Sequence, residues 1–300
     1  MAAQDVPPLV REAPDARLAL PTGAAPHLRE APMTRAAGAP AAWRRLASPA
    51  SLLRLGALAG FFGIWETAAR TGLVDPLFAA SPTLIVEKFY EMLADGSIWP
   101  HVAATAEVAA MGFGLSVAVG VPVGLVMGRV PLVASTVEPF VAALYASPQV
   151  AFLPLLIIWL GIGFSSKVAL VFLGSFIIVL INTETGVAHV DPRLIETARS
   201  FTARERQILA KIVLPSALPF IIAGMRLAIG RALVMVVVAE IYASNRGLGY
   251  LIFQAGGMYD TAQVFVGVGI LAAAGVTLTA LLRALERWLA PWQFDARQSG

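Results

Sequence analysis

Long apolar runs dominate this chain of 300 residues, and each can cross the roughly 30 Å hydrocarbon layer of a membrane as a helix. Composition agrees, because 58% of the residues are hydrophobic and 14% are charged; soluble domains have about 45–50% and about 25%. The sequence therefore predicts an all-α integral membrane protein with about six transmembrane helices. The runs lie at residues 51–69, 102–127, 132–160, 168–187, 217–243 and 264–289.

Basic residues are divided unevenly between the two ends of these runs. One side carries Arg44, Arg45, Arg54, Arg129, the cluster from Arg193 to Lys211, Arg283, Arg287 and Arg297, and the other carries Arg70, Lys88, Lys167 and Arg246. Because basic residues favour the cytoplasmic side of a membrane, we expect both termini to be cytoplasmic. The same rule places residues 71–100 outside and the segment from 191 to 214 in the cytoplasm.

The chain divides into three parts by composition. Residues 1–48 combine Pro and Ala with mixed charges, a composition that cannot bury a core, and we interpret them as a disordered cytoplasmic tail. Residues 49–292 form the predicted six-helix domain, and residues 293–300 a short cytoplasmic tail. Within the third run, Pro139, Pro148 and Pro154 predict a kinked or broken helix.

Residues 191–219 form a basic, helix-forming segment between apolar runs. Asp191 precedes a proline, which predicts an N-cap and the first turn of a short helix. The spacing of Thr202 and Glu205 fits a capping box that opens a second helix through Val213. Two prolines limit its continuation. Two short helices at an angle would form a compact element able to dock on another protein.

This segment resembles the signature loop of permease subunits of bacterial ABC importers, whose pattern is Glu-Ala-Ala, then Gly, then a hydrophobic residue and Leu-Pro. Thr197 stands where the family has Ala, and Thr202 where it has Gly, which would free the backbone at the turn. The matching residues are Glu196, Thr197, Ala198, Thr202, Ala203, Ile212, Leu214 and Pro215.

Further blocks resemble the nitrate, taurine and aliphatic sulfonate branch of that family, and the resemblance covers about residues 51–292. They lie at 153–163, 224–231 and 245–250. The resemblance implies an ABC importer permease fold in the bacterial inner membrane, with two permease copies side by side in lipid. Residues 190–215 would be the coupling loop, seated on a cytoplasmic P-loop ATPase, and a periplasmic or lipid-anchored solute-binding protein would deliver the solute. The coupling residues would be Glu196, Thr197, Ala198, Thr202, Ala203, Leu214 and Pro215.

The function implied is import of a small oxyanion, such as nitrate, taurine or another sulfonate, by alternating access. Similar permeases also move neutral vitamin precursors, so that substrate class stays open. The sequence has no Walker A pattern, so ATP hydrolysis is expected in a separate subunit. It has no catalytic constellation, no Cys and three scattered His, and no enzyme activity, cofactor or metal is expected. Its basic residues are scattered beside apolar runs, which argues against nucleic-acid binding.

Three ionisable residues lie within the fifth run: Arg226, Arg231 and Glu240. A charge at a helix centre is costly in lipid, so each should face protein or water and is a candidate for the translocation path. The alternative is that either Arg pairs with a carboxylate on a neighbouring helix, and that Glu240 is structural or near the outer gate. A rival function, an ion-gradient-driven secondary transporter, would need a carboxylate relay and repeat symmetry, and neither is evident.

Overall fold

The computed structural model describes residues 49–290, apart from positions 74 and 76, and side chains from residue 53 onward. The predicted tails at 1–48 and 293–300 lie outside the described residues. The chain divides into two units after Gly56, and the packed helices and the candidate sites belong to the unit that begins at Ala57.

The described residues form helices joined by short turns, and this part of the chain contains no β-strand. The predicted all-α class is therefore confirmed. In chain order the helices are α1 (Pro49–Arg70), α2 (Pro82–Ala94), α3 (Ile98–Arg129), α4 (Pro131–Ala146), a 3-10 turn (Gln149–Phe152), α5 (Leu153–Leu160), α6 (Phe164–Ala188), α7 (Pro192–Ser200), α8 (Glu205–Ile208), a π turn (Leu209–Val213), α9 (Leu214–Ala243), α10 (Leu248–Gly257) and α11 (Thr261–Leu289).

Four stretches in the described residues are long and apolar enough to span a membrane: α3, α6, the continuous run from Glu205 to Ala243, and α11. A fifth span results if α4 and the 149–160 segment are counted together. These two pieces are bent by 94°, and the break includes Pro148, as the prolines predicted. The first predicted run forms α1, which is not among these spans, and the side chains of its first residues are not described.

Helices α3, α6 and α9 pack against one another and bury the main hydrophobic core. Small residues permit the close approach, because a Cβ added at Gly124 would lie 2.7 Å from Thr183 Cβ, and one at Gly224 would lie 2.5 Å from Asn182 Cβ. Gly112 and Gly128 are similarly crowded by α6, and a Cβ at Gly120 would lie 3.1 Å from Val179, so four of the five glycines on α3 allow α6 to approach closely. The fifth is Gly114, where an added Cβ would meet no described atom within 4 Å.

Candidate functional site: the α7 loop and the charged residues of α9

Helix α7 protrudes as a short exposed element. Its N-cap is Asp191, whose carboxylate accepts a hydrogen bond from the Arg193 amide at 2.9 Å, as the sequence predicted. No residue of α7 is buried. A nine-residue helix has few internal hydrogen bonds, so its position depends on how its two ends are fastened.

The C-terminal end of α7 is fastened by a tight turn centred on Thr202. The Thr202 amide donates to the Arg199 carbonyl at 2.8 Å, and the Ala203 amide donates to the Ala198 carbonyl at 3.0 Å. This pair of bonds is the Schellman closure of a helix, which requires a left-handed residue at its centre. Thr202 has a φ of 57° and meets that requirement without glycine. The substitution for Gly therefore leaves the turn closed.

The predicted capping box at Thr202 and Glu205 is wrong. The N-cap of the second helix is Arg204, whose amide donates to Gln207 Oε1 at 2.8 Å. The predicted end at Val213 is wrong as well, because α8 continues through the π turn into α9. In that turn the Leu214 amide donates to the Leu209 carbonyl, one residue further back than in an α-helix. The wider turn lies immediately before Pro215, whose missing N–H would interrupt a regular helix.

Glu205 bridges two arginines instead of capping a helix. Its carboxylate receives Arg199 Nη2 at 2.8 Å and Arg129 Nη2, from the end of α3, also at 2.8 Å. Glu205 is well exposed, so water and salt screen both pairs and each contributes little to stability. The two carboxylate oxygens of Glu205 nevertheless contact different helices, one Arg199 of α7 and the other Arg129 of α3. Glu205 therefore links the end of α7 to the end of α3.

The two faces of α7 have different surroundings. Ile195, Ala198 and Ala203 pack against a buried cluster that includes Val187 of α6 and Ala217 of α9. On the other face, Glu196 and Thr197 are exposed. Movement of α7 would therefore be transmitted to α6 and α9 through apolar contacts.

Two apolar side chains on this loop point away from the protein: Leu194 is 51% exposed and Phe201 is 80% exposed. Large exposed apolar residues on a protruding element are typical of contact surfaces. Neither was predicted as a site residue, because Leu194 and Phe201 share a helical spacing with Ala198. The sequence also offers Ile195 and Ala198 as an inward-facing pair at i and i+3, and that pair would have left Leu194 exposed.

The two arginines of α9 each have a partner on another segment. Arg226 forms an ion pair with Glu286 of α11 at 3.0 Å, and Arg231 donates a hydrogen bond to the Gln149 side chain in the 3-10 turn. Arg226 thus pairs with a carboxylate on a neighbouring helix, which was the alternative expectation, whereas the partner of Arg231 is an amide side chain. The structure does not bring the two arginines to one shared partner.

Glu240 is completely buried and fastens the turn after α9. Thr105 Oγ1 of α3 donates to Glu240 Oε1 at 2.8 Å, and the Gly249 amide donates to Oε2 at 2.8 Å. Thr105 in turn accepts a hydrogen bond from the Leu248 amide at 2.8 Å. A Cβ at Gly247 would collide with the Glu240 carboxylate. These contacts support the structural alternative for Glu240.

Long apolar helices packed around α6, with one short exposed helix anchored to three of them, define an integral membrane protein. Comparison with known proteins gives its family. The chain belongs to the binding-protein-dependent transport system inner membrane component family, whose model matches residues 120–294. It is thus an ABC importer permease subunit, a class of membrane transport proteins rather than enzymes.

Relatives cover most of the chain. It is 35% identical over 260 residues to the taurine transport system permease protein TauC of Escherichia coli (strain K12), covering 85% of this chain and 94% of that protein. It is 35% identical to the putative aliphatic sulfonates transport permease protein SsuC of Bacillus subtilis (strain 168), covering 77% and 83%. The riboflavin transport system permease protein RibX of Chloroflexus aurantiacus is 33% identical, covering 84% and 91%.

The fold has a counterpart among solved structures. An inward-facing structure of the MetNI methionine ABC transporter superposes with a TM-score of 0.55 and 20% identity, covering 64% of this chain and 94% of that chain. At this identity the match shows the fold, and the predicted ABC importer permease fold is confirmed.

Proposed function

We propose that this chain is the permease of an ATP-driven importer, with α7 seated on a cytoplasmic ATPase subunit. One observation carries the proposal. Leu194 and Phe201 form an exposed apolar surface, and the opposite face of α7 packs onto α6 and α9. A surface of this kind can receive a movement, and the packing behind it can pass the movement to the spans. The proposed orientation places α7 and both termini in the cytoplasm.

In the proposed mechanism, ATP binding closes a pair of ATPase subunits beneath two copies of this chain. Each α7 follows its ATPase, and α6 and α9 move with it between inward-open and outward-open states. A solute-binding protein delivers the solute to the outer side. We assign Glu196, Thr197 and Thr202 to the coupling surface. Ala198, Ala203, Leu214 and Pro215 would connect that surface to the spans.

The test is recovery of the ATPase with the permease. Phe201→Ala should reduce copurification of the ATPase by about tenfold or more, the effect of losing an interface anchor, and ATP-driven uptake should fall with it. Glu196→Lys and Ala198→Trp should also reduce ATPase copurification and uptake. The first reverses a charge on the exposed face, and the second displaces α7 from the cluster against which Ala198 packs. Phe78→Ala is the matched control, because Phe78 is also an exposed Phe, 73% accessible, but lies in the segment expected outside.

Normal ATPase recovery and uptake in all three loop variants would contradict the coupling assignment. Uptake that follows an ion gradient and persists without ATP would favour the secondary-transporter alternative.

For the solute we propose a small oxyanion of the sulfonate type. Two relatives at 35% identity are named for taurine and aliphatic sulfonates, and this supports the assignment. RibX, at 33% identity, is the reason to include a neutral vitamin precursor as the second candidate. Thermal-shift measurements on the partner solute-binding protein with taurine, nitrate and riboflavin distinguish them. Stabilisation by riboflavin alone would remove the oxyanion assignment.

A further inference from the structure

A cavity of about 470 Å³ lies near the starts of α3 and α6 and the end of α9. This is the end of α9 remote from α7, so the cavity and the coupling loop are separated by the length of that helix. Its volume lies within the range of small-molecule sites. We call it the Lys167 cavity; its polar lining residues are Glu107, Lys167, Ser244, Asn245 and Arg246.

Lys167 is the most unusual residue of the cavity. It is only 7% exposed, and its ammonium donates one hydrogen bond, to Ser244 Oγ at 2.9 Å. An ammonium group carries three N–H donors. Among the described residues no carboxylate lies within the 4.0 Å of an ion pair with Lys167. A buried lysine with spare donors next to a cavity indicates that a ligand completes its hydrogen bonding.

The other two charged lining residues are also available to a ligand. Arg246 and Glu107 are exposed, and neither side chain forms an ion pair or hydrogen bond with the described part of the chain. Both lie within Coulombic range of Lys167, as does Glu240. Glu240 is not available, because Thr105 and the Gly249 amide already use its oxygens.

The formal charges around the Lys167 cavity sum to zero. Lys167 and Arg246 are the two basic residues, and Glu107 and Glu240 are the two acidic ones. A free anion bound here would add an uncompensated charge near the apolar spans, where charge interactions are poorly screened. A solute with one positive and one negative group leaves the net charge unchanged. Its negative group can contact Lys167 and Arg246, and its positive group can contact Glu107.

We propose that the Lys167 cavity binds a small zwitterion, with its oxyanion group at Lys167 and Arg246 and its ammonium group at Glu107. An aminosulfonate has this chemistry, because the sulfonate offers three acceptor oxygens and guanidinium binds oxyanions through parallel N–H groups. This inference rests on the proposed function, import of a small sulfonate, and narrows its solute class to zwitterions.

The test compares two probes that differ in the ammonium group, taurine and ethanesulfonate, by equilibrium binding to the full chain in lipid nanodiscs. Wild type should bind taurine about tenfold or more tightly than ethanesulfonate, the effect of one charge-assisted contact. Lys167→Met should weaken both probes by about 10- to 100-fold. Glu107→Gln should weaken taurine alone and remove the preference. Glu87→Gln, an exposed glutamate on α2 outside the cavity, is the matched control and should bind as wild type does.

Three results would overturn the site: no saturable taurine binding by wild type, wild-type affinity in Lys167→Met, or an intact preference in Glu107→Gln. Since Lys167→Met alters a buried residue, Glu107→Gln on the surface decides the question if the first variant fails to fold. ATP-dependent taurine uptake by proteoliposomes of the complete transporter reports separately on the proposed function. Uptake by wild type with unchanged binding in both variants would remove the cavity site and leave the importer assignment standing.

Discussion

Replacing Thr202 by Gly should tighten the turn that holds α7. Thr202 adopts a φ of 57°, and a β-branched residue is unfavourable in this left-handed conformation. The strain is held by two backbone bonds, from the Thr202 amide to Arg199 and from the Ala203 amide to Ala198. Glycine keeps both bonds, and it adopts the required conformation without a steric cost.

The size of the effect follows from two opposing contributions. A left-handed residue with a side chain costs about 1–2 kcal/mol. Glycine returns about 0.5–1 kcal/mol of this, because it is freer in the unfolded chain. Thr202→Gly should therefore stabilise the closed turn by on the order of 1 kcal/mol, about a fivefold change in the opening equilibrium. Thr202→Pro should open the turn. Proline has no N–H to donate to the Arg199 carbonyl, and its ring prevents a positive φ.

Hydrogen exchange of the Ala203 amide measures this opening directly, because that amide closes the turn. We expect about fivefold slower exchange in Thr202→Gly and loss of protection in Thr202→Pro. Thr202→Val is the control for the hydroxyl, whose oxygen makes no hydrogen bond within the described residues. Its exchange should match wild type. Faster exchange in both the Gly and the Val variant would refute the strain argument and indicate a capping hydroxyl.

Three further predictions concern the spans. Gly124→Ala should destabilise the protein by about 1–3 kcal/mol through overpacking, whereas Gly114→Ala on the same helix should be neutral or stabilising, as measured by thermal unfolding in detergent. Arg226→Ala should cost about 1–3 kcal/mol by stranding Glu286, and exchanging the two residues should restore part of the loss; an unaffected single variant would make the pair irrelevant to stability. Glu240→Gln should increase protease cleavage between α9 and α10, because an amide cannot accept all the bonds that the carboxylate receives, and unchanged cleavage would contradict its fastening role.

What could be predicted from the sequence was local. Helical spans and the bend at Pro148 depend on apolar run length and proline positions, which are properties of a short window. The Asp191 cap depends on residues two apart. Each of these predictions was correct in kind, although the first predicted span, which forms α1, is not among the described helices that are long and apolar enough to cross a membrane.

The capping error has a definite physical cause. Thr202 lies between two helices, and its position satisfies the pattern for opening the second helix as well as that for closing the first. Ala198 and Ala203 pack onto the core, and this packing favours the turn that closes α7. A four-residue sequence pattern does not contain that information.

The charged residues show the same limit over longer distances. Glu205 pairs with Arg129, 76 residues away, and Arg226 pairs with Glu286, 60 residues away. The role of Glu240 depends on Thr105, 135 residues earlier. The cost of a charge in lipid predicts that groups such as Arg226 and Glu240 face protein or water, but a single sequence contains no information on which partners the packing supplies.

The π turn between α8 and α9 has a mechanical consequence. The run from Glu205 to Ala243 is continuous over 39 residues, so it is about 58 Å long, nearly twice the hydrocarbon thickness of a membrane. One end of this rod lies beside the docking helix and the other beside the Lys167 cavity. Each residue of an α-helix turns the chain by about 100°. The extra residue of the π turn therefore determines in which direction side chains at one end of the run point relative to those at the other end. Deleting one residue from the π turn would rotate α8 by about 100° relative to α9 and would move the Glu205 carboxylate away from Arg129. In the proposed importer, the connection between the ATPase contact and the Lys167 cavity would therefore depend on the angle between the two ends of this helix as well as on the side chains at each end.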